Sequence, residues 1–347
     1  MKTEQKTLQS IQLLRGVACM LVVLFHAGGL FARSGTAFLG NFFAFGGSGV
    51  DIFFTLSGFI IAYTGLKTTG RTSNITAFLR KRFIRIYPIY WFVITGLLLL
   101  QIVLPQFGQS GYSLSPSNIL STYLLLPGHQ MLNGVSWSLT NELFFYLLFC
   151  TAFFIKNRQV LFALTVAYLV FLLVYAVAIP GSSTGGPWHE LLTTPMNIEF
   201  FLGVLVAVFF QRIPSPASRP LLISGILLFI AAGVASNDGM RLSDGALTRV
   251  FCFGLPSVLI IAGLARMESH QPIKVNRVFR ELGDASYSLY LIHLPLLAAA
   301  MRFISVAGDN PVVRHIYVLV LIAAISLLSI FVYRLVERPL IRSVHRK

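Results

Sequence analysis

The sequence has few charged residues for its length. Only 11% of its 347 residues are charged, whereas 56% are hydrophobic and the mean hydropathy is +0.77. A soluble domain of ordinary composition carries about 25% charged residues. The chain therefore lacks the polar surface that would cover a globule in water, and its composition predicts that lipid surrounds most of it.

Cysteine is also scarce. Cys19, Cys150 and Cys252 lie singly within apolar runs, and the sequence has no CxxC pair. This odd number and wide spacing indicate neither a disulfide framework nor a zinc site, so we expect packing roles and no bound metal. The sequence also lacks HExxH, Walker A, strand-linked GxGxxG and GxSxG motifs. No motif therefore favours a metallohydrolase, a nucleotide hydrolase or a serine hydrolase.

Long apolar segments make up most of the chain. A helix crosses the hydrocarbon core of a membrane with about 17–25 apolar residues. Ten segments are candidates, of which the fourth and the sixth are shorter than this range, at residues 10–30, 46–66, 84–104, 141–155, 159–179, 196–211, 219–236, 248–265, 286–306 and 314–336. The sequence therefore predicts an all-α, polytopic membrane protein. We expect residues 1–347 to form a single transmembrane domain without a separate soluble domain.

Clusters of glycine, proline and polar residues separate these segments, and we expect them to form loops. The clearest clusters lie at residues 181–188, 213–220, 236–245 and 307–311. The longest loop, residues 105–140, contains no Lys or Arg. A short interfacial helix is expected within it, near residues 115–126.

Acidic residues are the scarcer charged class, with 12 Asp and Glu against 27 Lys and Arg and a net charge of +15. In a soluble protein this charge would suggest a nucleic acid partner. If the N-terminus is cytoplasmic, the ten predicted helices place most basic residues in cytoplasmic segments. The exceptions are Arg33, Arg241, Arg249, Arg302 and Arg314. This asymmetry predicts two cytoplasmic termini and explains the charge without nucleic acid.

Two ionisable residues interrupt the first apolar segment. Arg15 and His26 lie eleven residues apart, about 16 Å along a helix, which places Arg15 at the cytoplasmic edge and His26 past the midplane. Histidine suits proton transfer near neutral pH. The alternatives are a structural histidine and an arginine that anchors the helix at the surface. A signal peptide over residues 1–30 is a further alternative, because Lys2 and Lys6 precede the apolar run.

The second segment enters from the outside and carries Asp51 at a depth comparable with His26. A carboxylate beside an imidazole fixes its tautomer and stabilises its protonated form, so we predict that the two residues pair. Alternatively, Asp51 caps the helix or pairs with a basic residue. Ser57 and Gly58 lie deeper, where they allow close helix approach or leave room for a narrow ligand.

The third segment begins with a basic stretch, FLRKRFIRIYPIYW at residues 78–91. Arg82 and Arg85 are spaced i, i+3 and therefore share one helix face. Paired guanidinium groups suit the recognition of phosphates. The alternative is that the stretch only anchors the helix at the cytoplasmic surface and binds lipid headgroups.

Further ionisable residues lie near the predicted outer boundary. Glu142 enters the fourth segment there, beside Trp137 and Tyr146, and Glu199 enters the sixth segment at a similar level. A glutamate in this position suits a general acid or base, or the binding of an acceptor hydroxyl. The ninth segment carries His293 within the membrane. At the inner end of the last segment, Glu337 is expected to pair with arginine.

Seven blocks of the sequence, in order, resemble the acyltransferase-3 family, whose members are integral membrane acyltransferases that act on bacterial surface glycans. The blocks are QLLRGVACMLVVLFHAG, GVDIFFTLSGFII, RFIR, SWSLTNELFFY, IEFFLGV, SYSLYLIH and VERP. The first looks like the family's arginine–histidine signature (Arg15 and His26), and the third looks like its Arg-x-x-Arg motif (Arg82 and Arg85). The resemblance covers nearly the whole chain and is closest to exopolysaccharide and O-antigen O-acetyltransferases.

This resemblance implies transfer of an acyl group, with acetyl as the expected group, from cytoplasmic acyl-CoA to a glycan hydroxyl. The acceptor would be a lipid-linked or growing sugar chain that approaches from the periplasmic side of the bacterial inner membrane. Direct transfer and a covalent acyl-histidine both remain open. Some family members carry an extra C-terminal hydrolase-like domain. This chain ends soon after VERPLIR, so we expect its chemistry within the membrane domain or with a partner from the polysaccharide-synthesis machinery.

The resemblance also implies roles for individual residues. His26 is expected to be the catalytic base. The expected groups are His26, Asp51 and Glu142 in catalysis, Arg82, Arg85 and Arg15 at the acyl-CoA phosphates, and Trp137, Tyr146, Glu199 and His293 at the acceptor.

Two other function classes compete with an enzyme. A proton-coupled transporter or flippase of a glycan or lipid would use His26, Asp51 and Glu142 as a proton relay. The lack of an internal repeat and the Arg82–Arg85 pair count against this interpretation. A scaffold for polysaccharide synthesis would leave the charges within the membrane unexplained.

Overall fold

The computed structural model describes residues 8–66, 69–179, 185–237 and 246–345. Within these ranges the chain forms α-helices joined by short 3₁₀ and π-helical turns and by loops. The helices are α1 (Gln9–Phe31), α2 (Gly49–Gly65), α3 (Ile75–Val103), α4 (Pro116–Leu124), α5 (Trp137–Thr151), α6 (Arg158–Ala178), α7 (Gly186–Thr193), α8 (Met196–Phe209), α9 (Ser218–Asn237), α10 (Ala246–Arg249), α11 (Leu255–His270), α12 (Arg277–Asp284), α13 (Ser286–Met301), α14 (Pro311–Val332) and α15 (Arg338–His345). The predicted all-α fold is confirmed.

Eight helical segments of the described chain are long and apolar enough to cross a membrane, as expected for a multi-pass membrane protein. They correspond to eight of the ten predicted segments. The other two, residues 141–155 and 286–306, correspond to α5 and α13, which have 15 and 16 residues. At 1.5 Å per residue these two helices are about 22–24 Å long, which is shorter than a hydrocarbon core of about 30 Å.

The segment that precedes α5 descends beside α3. Side chains from the middle of α3 donate hydrogen bonds to the three carbonyl groups at the C-terminal end of α4. These bonds run from Tyr90 to Thr122 (2.6 Å), from Trp91 to Tyr123 (3.0 Å) and from Tyr87 to Leu124 (3.2 Å). Terminal carbonyls lack partners within their own helix and need them at membrane depth. The predicted helix at 115–126 is therefore present as α4, but it ends beside the middle of a membrane helix.

Helix α2 lies at the centre of the bundle. In the span that contains α2, 72% of the most apolar stretch is buried, compared with 11% in α6. Helices α2 and α8 approach closely, because a Cβ atom added to Gly58 would lie 1.8 Å from the Phe200 carbonyl oxygen. A Cβ atom on Gly203 would lie 2.0 Å from the Thr55 carbonyl oxygen. Small residues are therefore required where these backbones meet, as the sequence predicted for Gly58.

Helix α1 packs against α2, α12 and α13, so it is an integral part of the bundle. A carboxylate from α11 caps its N-terminal end. Glu268 accepts hydrogen bonds from the backbone N–H groups of Gln9 (2.7 Å) and Ser10 (2.8 Å) and from the Ser10 hydroxyl (2.5 Å). The cap satisfies donors that have no partner in the first turn. It also fixes the helix that carries Arg15 and His26.

Several predicted features lie outside the described residues. They include Lys2, Lys6, Lys67, Arg241, Arg346 and Lys347, and parts of the loops expected at 181–188 and 236–245. The loops predicted at 213–220 and 307–311 join α8 to α9 and α13 to α14, respectively.

Candidate active site

A cavity opens between α1, α2, α3, α5 and α13. It contains about 910 Å³ of space free of protein atoms, including its open mouth. The charged side chains that line it are Arg15, Arg82, Arg85 and Glu142. The remaining lining is mostly aromatic and aliphatic, with Ser57 among the few small polar residues. The prediction that Arg82 and Arg85 share a helix face is confirmed, since both line this cavity.

Arg82 makes only weak contacts with the described protein, and one of its N–H donors has no acceptor there. Its Nη2 donates to the Thr64 hydroxyl (3.2 Å), and its guanidinium carbon lies 5.4 Å and 5.3 Å from the ring centroids of Phe78 and Tyr146. Its buried Nε has no hydrogen-bond partner among the described residues. A buried, unpaired donor on a cation is costly unless a ligand accepts the bond. Arg82 is therefore available to an anion in the cavity.

Arg85 forms an ion pair that holds it in place. Its Nη1 donates to Glu337 Oε1 (2.5 Å), and the other Glu337 oxygen accepts from the Ser288 hydroxyl (2.6 Å). The guanidinium group also lies 5.6 Å from the Tyr287 ring centroid. The buried Nη2 atom finds no acceptor within the described part of the chain. The predicted pairing of Glu337 with arginine is confirmed, and Arg85 retains one free donor.

Glu142 does not lie at the outer boundary as predicted. It lines the same cavity as the arginines, and its Oε1 accepts a short hydrogen bond from the Tyr146 hydroxyl. The prediction of depth is wrong because the chain before α5 has already descended along α3, so α5 begins within the bundle. Tyr146, which was expected at the acceptor, lies against Arg82 instead.

The cavity also reaches a pair of hydroxyl groups from α5 and α13. The Ser138 hydroxyl lies 2.8 Å from that of Tyr290, and both are 3.2 Å from the Val135 carbonyl oxygen. Tyr290 and Phe53 line the cavity with ring centroids 5.8 Å apart. This polar pair lies within a mostly apolar wall.

A second layer behind Tyr290 holds two histidines. The His293 ring centroid lies 5.9 Å from that of Tyr290 and 5.1 Å from that of His26. His293 Nε2 is 3.2 Å from His26 Nδ1. His26 is half-buried, and within the described chain its Nε2 has no hydrogen-bond partner. His293 is fully buried, so it does not present an acceptor surface in this structure.

The predicted pairing of Asp51 with His26 is wrong. Asp51 is fully buried and accepts hydrogen bonds from Arg249, at 2.9 Å and 3.1 Å from Nε and 2.8 Å from Nη2. Arg249 also donates to the Gly47 carbonyl (3.0 Å). The alternative of a basic partner therefore holds, because a buried carboxylate is stabilised far more by a bidentate arginine than by a neutral imidazole.

Glu199 lies in the same region as this ion pair. Its side chain is fully buried beside the Asp51 carboxylate, and neither of its oxygens accepts a hydrogen bond from a donor among the residues described. A Cβ atom on Gly254 would lie 2.9 Å from its carboxylate, so glycine makes room for it. Trp137, the first residue of α5, stacks on Phe54 with ring centroids 6.1 Å apart. Neither Glu199 nor Trp137 lies in the cavity wall.

Sequence reasoning missed Arg249, Ser138 and Asn133. Arg249 was counted only as a basic residue on the outer side, although a charge at the start of an apolar segment was an available signal. The Asn133 side-chain amide donates to the Leu291 carbonyl oxygen (2.9 Å). In a regular helix the N–H group of residue 295 would donate to that carbonyl, but Pro295 has no N–H group. Asn133 therefore connects the descending segment to the helix that carries His293.

Two acidic residues on α12, outside the membrane spans, have shifted pKa values of opposite sign. Hydrogen bonds from Arg334 (2.6 Å) and Arg277 (3.0 Å) lower the pKa of Glu281. Burial raises the pKa of Asp284, against the opposing effect of Arg15. Glu281 thus links α12 to the end of the last membrane span, whereas burial makes the charged form of Asp284 less favourable than it is in water.

The chain is similar to known acyltransferases. A family model described as an acyltransferase domain matches residues 8–334. Exopolysaccharide production protein ExoZ of Rhizobium meliloti (strain 1021) is 26% identical over 319 residues, which cover 87% of this chain and 92% of that protein. Acyltransferase MdmB of Streptomyces mycarofaciens is 27% identical over 292 residues, which cover 77% and 72% of the two chains. No solved structure matches the chain.

The matched region contains all the helices that form the cavity, together with the histidine pair. It also includes six of the seven blocks from which the sequence predicted a membrane acyltransferase, whereas VERP, at residues 336–339, lies just beyond it. Because the family model covers nearly the whole chain, this multi-pass membrane protein belongs to the acyltransferase-3 family and is an acyltransferase.

Proposed function

We propose that the protein transfers an acyl group, with acetyl as the expected group, from acyl-CoA to a hydroxyl of an exported or cell-surface glycan. We place this activity in the bacterial inner membrane. The observation that carries the proposal is the cavity in which Arg82 and Arg85 each hold a buried donor that finds no acceptor in the described part of the protein. The acceptor class is supported by the name of the relative ExoZ, an exopolysaccharide production protein.

The donor site follows from the chemistry of the cavity. Coenzyme A carries phosphate groups, and guanidinium groups bind phosphate with short, charge-assisted hydrogen bonds. The free Nε of Arg82 and Nη2 of Arg85 supply such donors, and Arg15 adds a third positive charge on the same wall. Because Glu337 holds Arg85, this donor is already oriented before a ligand binds.

The acyl-pantetheine arm fits the rest of the cavity. It is long, narrow and less polar than the nucleotide, and the lining beyond the arginines is mostly apolar and aromatic. The hydroxyls of Ser138 and Tyr290 lie in this lining, where one of them can donate to the thioester carbonyl. The acyl group then passes the contact between Phe53 and Tyr290 to approach His26.

The reaction requires a base and a proton donor. His26 Nε2 takes the proton of the acceptor hydroxyl while the hydroxyl oxygen forms a bond to the thioester carbonyl carbon. The carbon–sulfur bond of the tetrahedral intermediate then breaks, and the imidazolium returns the proton to the departing thiolate. The products are the glycan ester and free coenzyme A. A positioned base of this kind contributes about 10²–10⁴-fold in rate.

The proposal is tested in a deletion strain of the native host. The strain is complemented with wild type, with His26→Ala, or with His270→Ala as a control in which an exposed histidine on the end of α11 is removed. Membrane levels of the three proteins are matched by immunoblotting. We expect the O-acetyl content of the surface polysaccharide to be lost with His26→Ala and retained with His270→Ala.

Other outcomes separate the competing functions. Equal acetylation with wild type and His26→Ala would remove the catalytic role of His26. Loss of polymer export without loss of acetylation would favour a transporter or flippase.

A further inference from the structure

We infer that His293 is a positioning residue that, together with the Val22 carbonyl, holds His26 in the tautomer whose Nε2 carries the lone pair that accepts the proton. The inference rests on the proposed role of His26 as the base. It assigns His293 a role behind the reacting ring instead of the acceptor-binding role expected from the sequence.

The backbone first determines where both rings carry hydrogen. His26 Nδ1 lies 3.0 Å from the Val22 carbonyl oxygen, and His293 Nδ1 lies 3.1 Å from the Leu289 carbonyl oxygen. A carbonyl oxygen only accepts hydrogen bonds, so each Nδ1 is the protonated nitrogen of its neutral ring. His293 Nε2 is then an acceptor.

The contact between the rings selects the same tautomer of His26 again. His293 Nε2 lies 3.2 Å from His26 Nδ1, so the hydrogen on His26 Nδ1 is shared between this nitrogen and the Val22 carbonyl. The opposite tautomer would direct a lone pair of His26 toward two acceptors. In an interior of low dielectric such a contact is strongly unfavourable. The lone pair of neutral His26 therefore resides on Nε2.

The packing leaves this nitrogen open. His293 is fully buried, whereas His26 is half-buried and its Nε2 has no hydrogen-bond partner within the described ranges. The Phe25 ring lies edge-on to His26, with centroids 5.1 Å apart. One face of the imidazole is therefore held by protein, while the basic nitrogen remains accessible to a hydroxyl.

A neutral partner suits this position. In a serine protease the corresponding orienting group is a carboxylate, which also compensates the charge of the imidazolium. Asp51, the carboxylate that the sequence predicted for this role, is instead paired with Arg249. A neutral histidine accepts the Nδ1–H bond both before and after His26 gains its proton, without a second buried charge.

The test compares two substitutions in purified full-length protein in lipid nanodiscs. His293→Gln retains a side-chain oxygen that can accept at the position of Nε2, whereas His293→Leu retains volume without an acceptor. The exposed residue His270 supplies the control His270→Leu. Transfer of radiolabelled acetyl from acetyl-CoA is measured with polysaccharide purified from the deletion strain as acceptor. We expect His293→Leu to lower kcat about 100-fold with little change in KM for acetyl-CoA, and His293→Gln to remain within about tenfold of wild type.

The tautomer is measured directly in wild type by the ¹⁵N shifts of the imidazole nitrogens in histidine-labelled protein, which needs no variant to fold. A neutral His26 protonated on Nε2 would overturn the inference, as would equal kcat for His293→Leu and wild type. Equal losses in the Leu and Gln variants would also overturn it. If His26→Ala retains wild-type kcat, the proposed role of His26 as the base fails as well, and if wild type transfers no acetyl, the proposed function itself fails. If only His26→Ala is inactive, the role of His293 alone fails.

Discussion

At the scale of single residues, Arg82 and Arg85 illustrate how one motif yields two different roles. Both line the cavity, but only Arg85 has a carboxylate partner, Glu337. Substitution of Arg85 therefore leaves a buried carboxylate unpaired and alters the fold as well as the ligand site. Among the described residues, Arg82 has only the Thr64 hydroxyl and two aromatic rings as partners, so its substitution tests mainly the interaction with a ligand.

We expect Arg82→Ala to raise KM for acetyl-CoA about 10–100-fold with a smaller effect on kcat, because a charge-assisted hydrogen bond contributes about 1.5–3 kcal/mol. The measurement is steady-state acetyl transfer in nanodiscs. Arg219→Ala, at an exposed position on α9, is the matched control. An unchanged KM in Arg82→Ala would contradict the assignment of the donor site.

The buried ion pair of Asp51 and Arg249 stabilises the fold, because Arg249 donates from two nitrogens to the Asp51 carboxylate. Removal of one partner from such a pair is destabilising by about 3–5 kcal/mol. We therefore expect Asp51→Asn to lower the melting temperature in detergent markedly, as measured by the fluorescence of thiol-reactive dye during heating. Glu199→Gln is the comparison, because Glu199 accepts no hydrogen bond from a donor in the described chain and the amide that replaces it can still donate to the neighbouring Asp51 carboxylate. A larger fall in melting temperature for Glu199→Gln than for Asp51→Asn would contradict the structural role of the ion pair.

The sequence predicted which single residues are unusual better than it predicted the side chains that they contact. Ionisable side chains in apolar segments are rare, and this alone singled out Arg15, His26 and Asp51. Their partners depend on helix rotation and on the order of helices around the bundle, which hydropathy does not contain. Asp51 was therefore paired with the nearest candidate in the chain, whereas its true partner Arg249 lies 198 residues away.

At the scale of helices, the contact between α2 and α8 sets the position of the cavity. The α2 backbone meets α8 at Gly58, while the neighbouring Ser57 faces the cavity. The close contact holds the central helix against one side of the bundle and leaves space on the other side.

Replacement of Gly58 by valine places a side chain where the Phe200 carbonyl now lies. We expect Gly58→Val to destabilise the protein by at least about 3 kcal/mol, and to lower its yield after detergent extraction. The matched control is Gly96→Val on α3, where an added Cβ meets no atom within 4 Å. Equal monodisperse yields of both variants in size-exclusion chromatography would contradict the tight contact.

The bond from Asn133 to the Leu291 carbonyl has a specific cause in Pro295, which removes the usual helical donor to that carbonyl. We expect Asn133→Ala to lower stability by about 1–3 kcal/mol in the wild-type background. In a Pro295→Ala background the backbone N–H is restored, and the same substitution should have an effect below about 0.5 kcal/mol. The measurement is a double-mutant cycle of unfolding in detergent. Additive effects would show that the two residues act independently.

Helix positions were predictable from hydropathy, but α13 is shorter than its predicted segment, and α5 has the predicted length but begins four residues earlier than expected. The descent of the chain before α5 depends on hydrogen bonds from Tyr87, Tyr90 and Trp91 to a distant backbone, and no local pattern encodes them. The hydropathy pattern also did not predict two π-helical turns. Val250–Gly254 follows Arg249, and Tyr333–Glu337 contains Glu337. Each inserts an extra residue beside a buried ion pair, as such turns often do at functional sites.

At the scale of the whole molecule, the distribution of basic residues predicts which side of the membrane each loop faces. We expect Val306→Cys, between α13 and α14, to react with a membrane-impermeant maleimide in intact spheroplasts. Lys274→Cys, between α11 and α12, should react only after permeabilisation. Both positions are exposed, so a lack of reaction reports on sidedness. The opposite pattern would invert the proposed orientation.

The charges of α12 predict a pH dependence of stability. The lowered pKa of Glu281 means that its ion pairs stabilise the fold above the unfolded-state pKa, and that this contribution is lost as pH falls through the folded-state pKa. We expect Glu281→Gln to lower the melting temperature at pH 7, with a difference from wild type that shrinks toward pH 3.

Asp284 provides the control of opposite sign. Burial raises its pKa, so the residue favours the folded state at low pH and loses that contribution as pH rises through the folded-state pKa. Asp284→Asn should therefore raise the melting temperature at pH 7 and have little effect at pH 3. Two variants with the same sign of change at pH 7 would contradict the opposite pKa shifts.

The different depths of His26 and the arginine cavity have an electrical consequence under the proposed reaction. The hydroxyl proton passes from an acceptor on the outer side to a coenzyme A thiol, while the acyl group passes in the opposite direction over about 16 Å, the distance along α1 from Arg15 to His26. The reacting hydroxyl, its ester, the thioester and the thiol are all uncharged, so this exchange moves no net charge across the hydrocarbon core. Movement of a full charge would be worth about 2.3 kcal/mol per 100 mV. The resting potential of the cell would thus neither drive nor oppose acylation, although the group that is transferred crosses about half of the membrane.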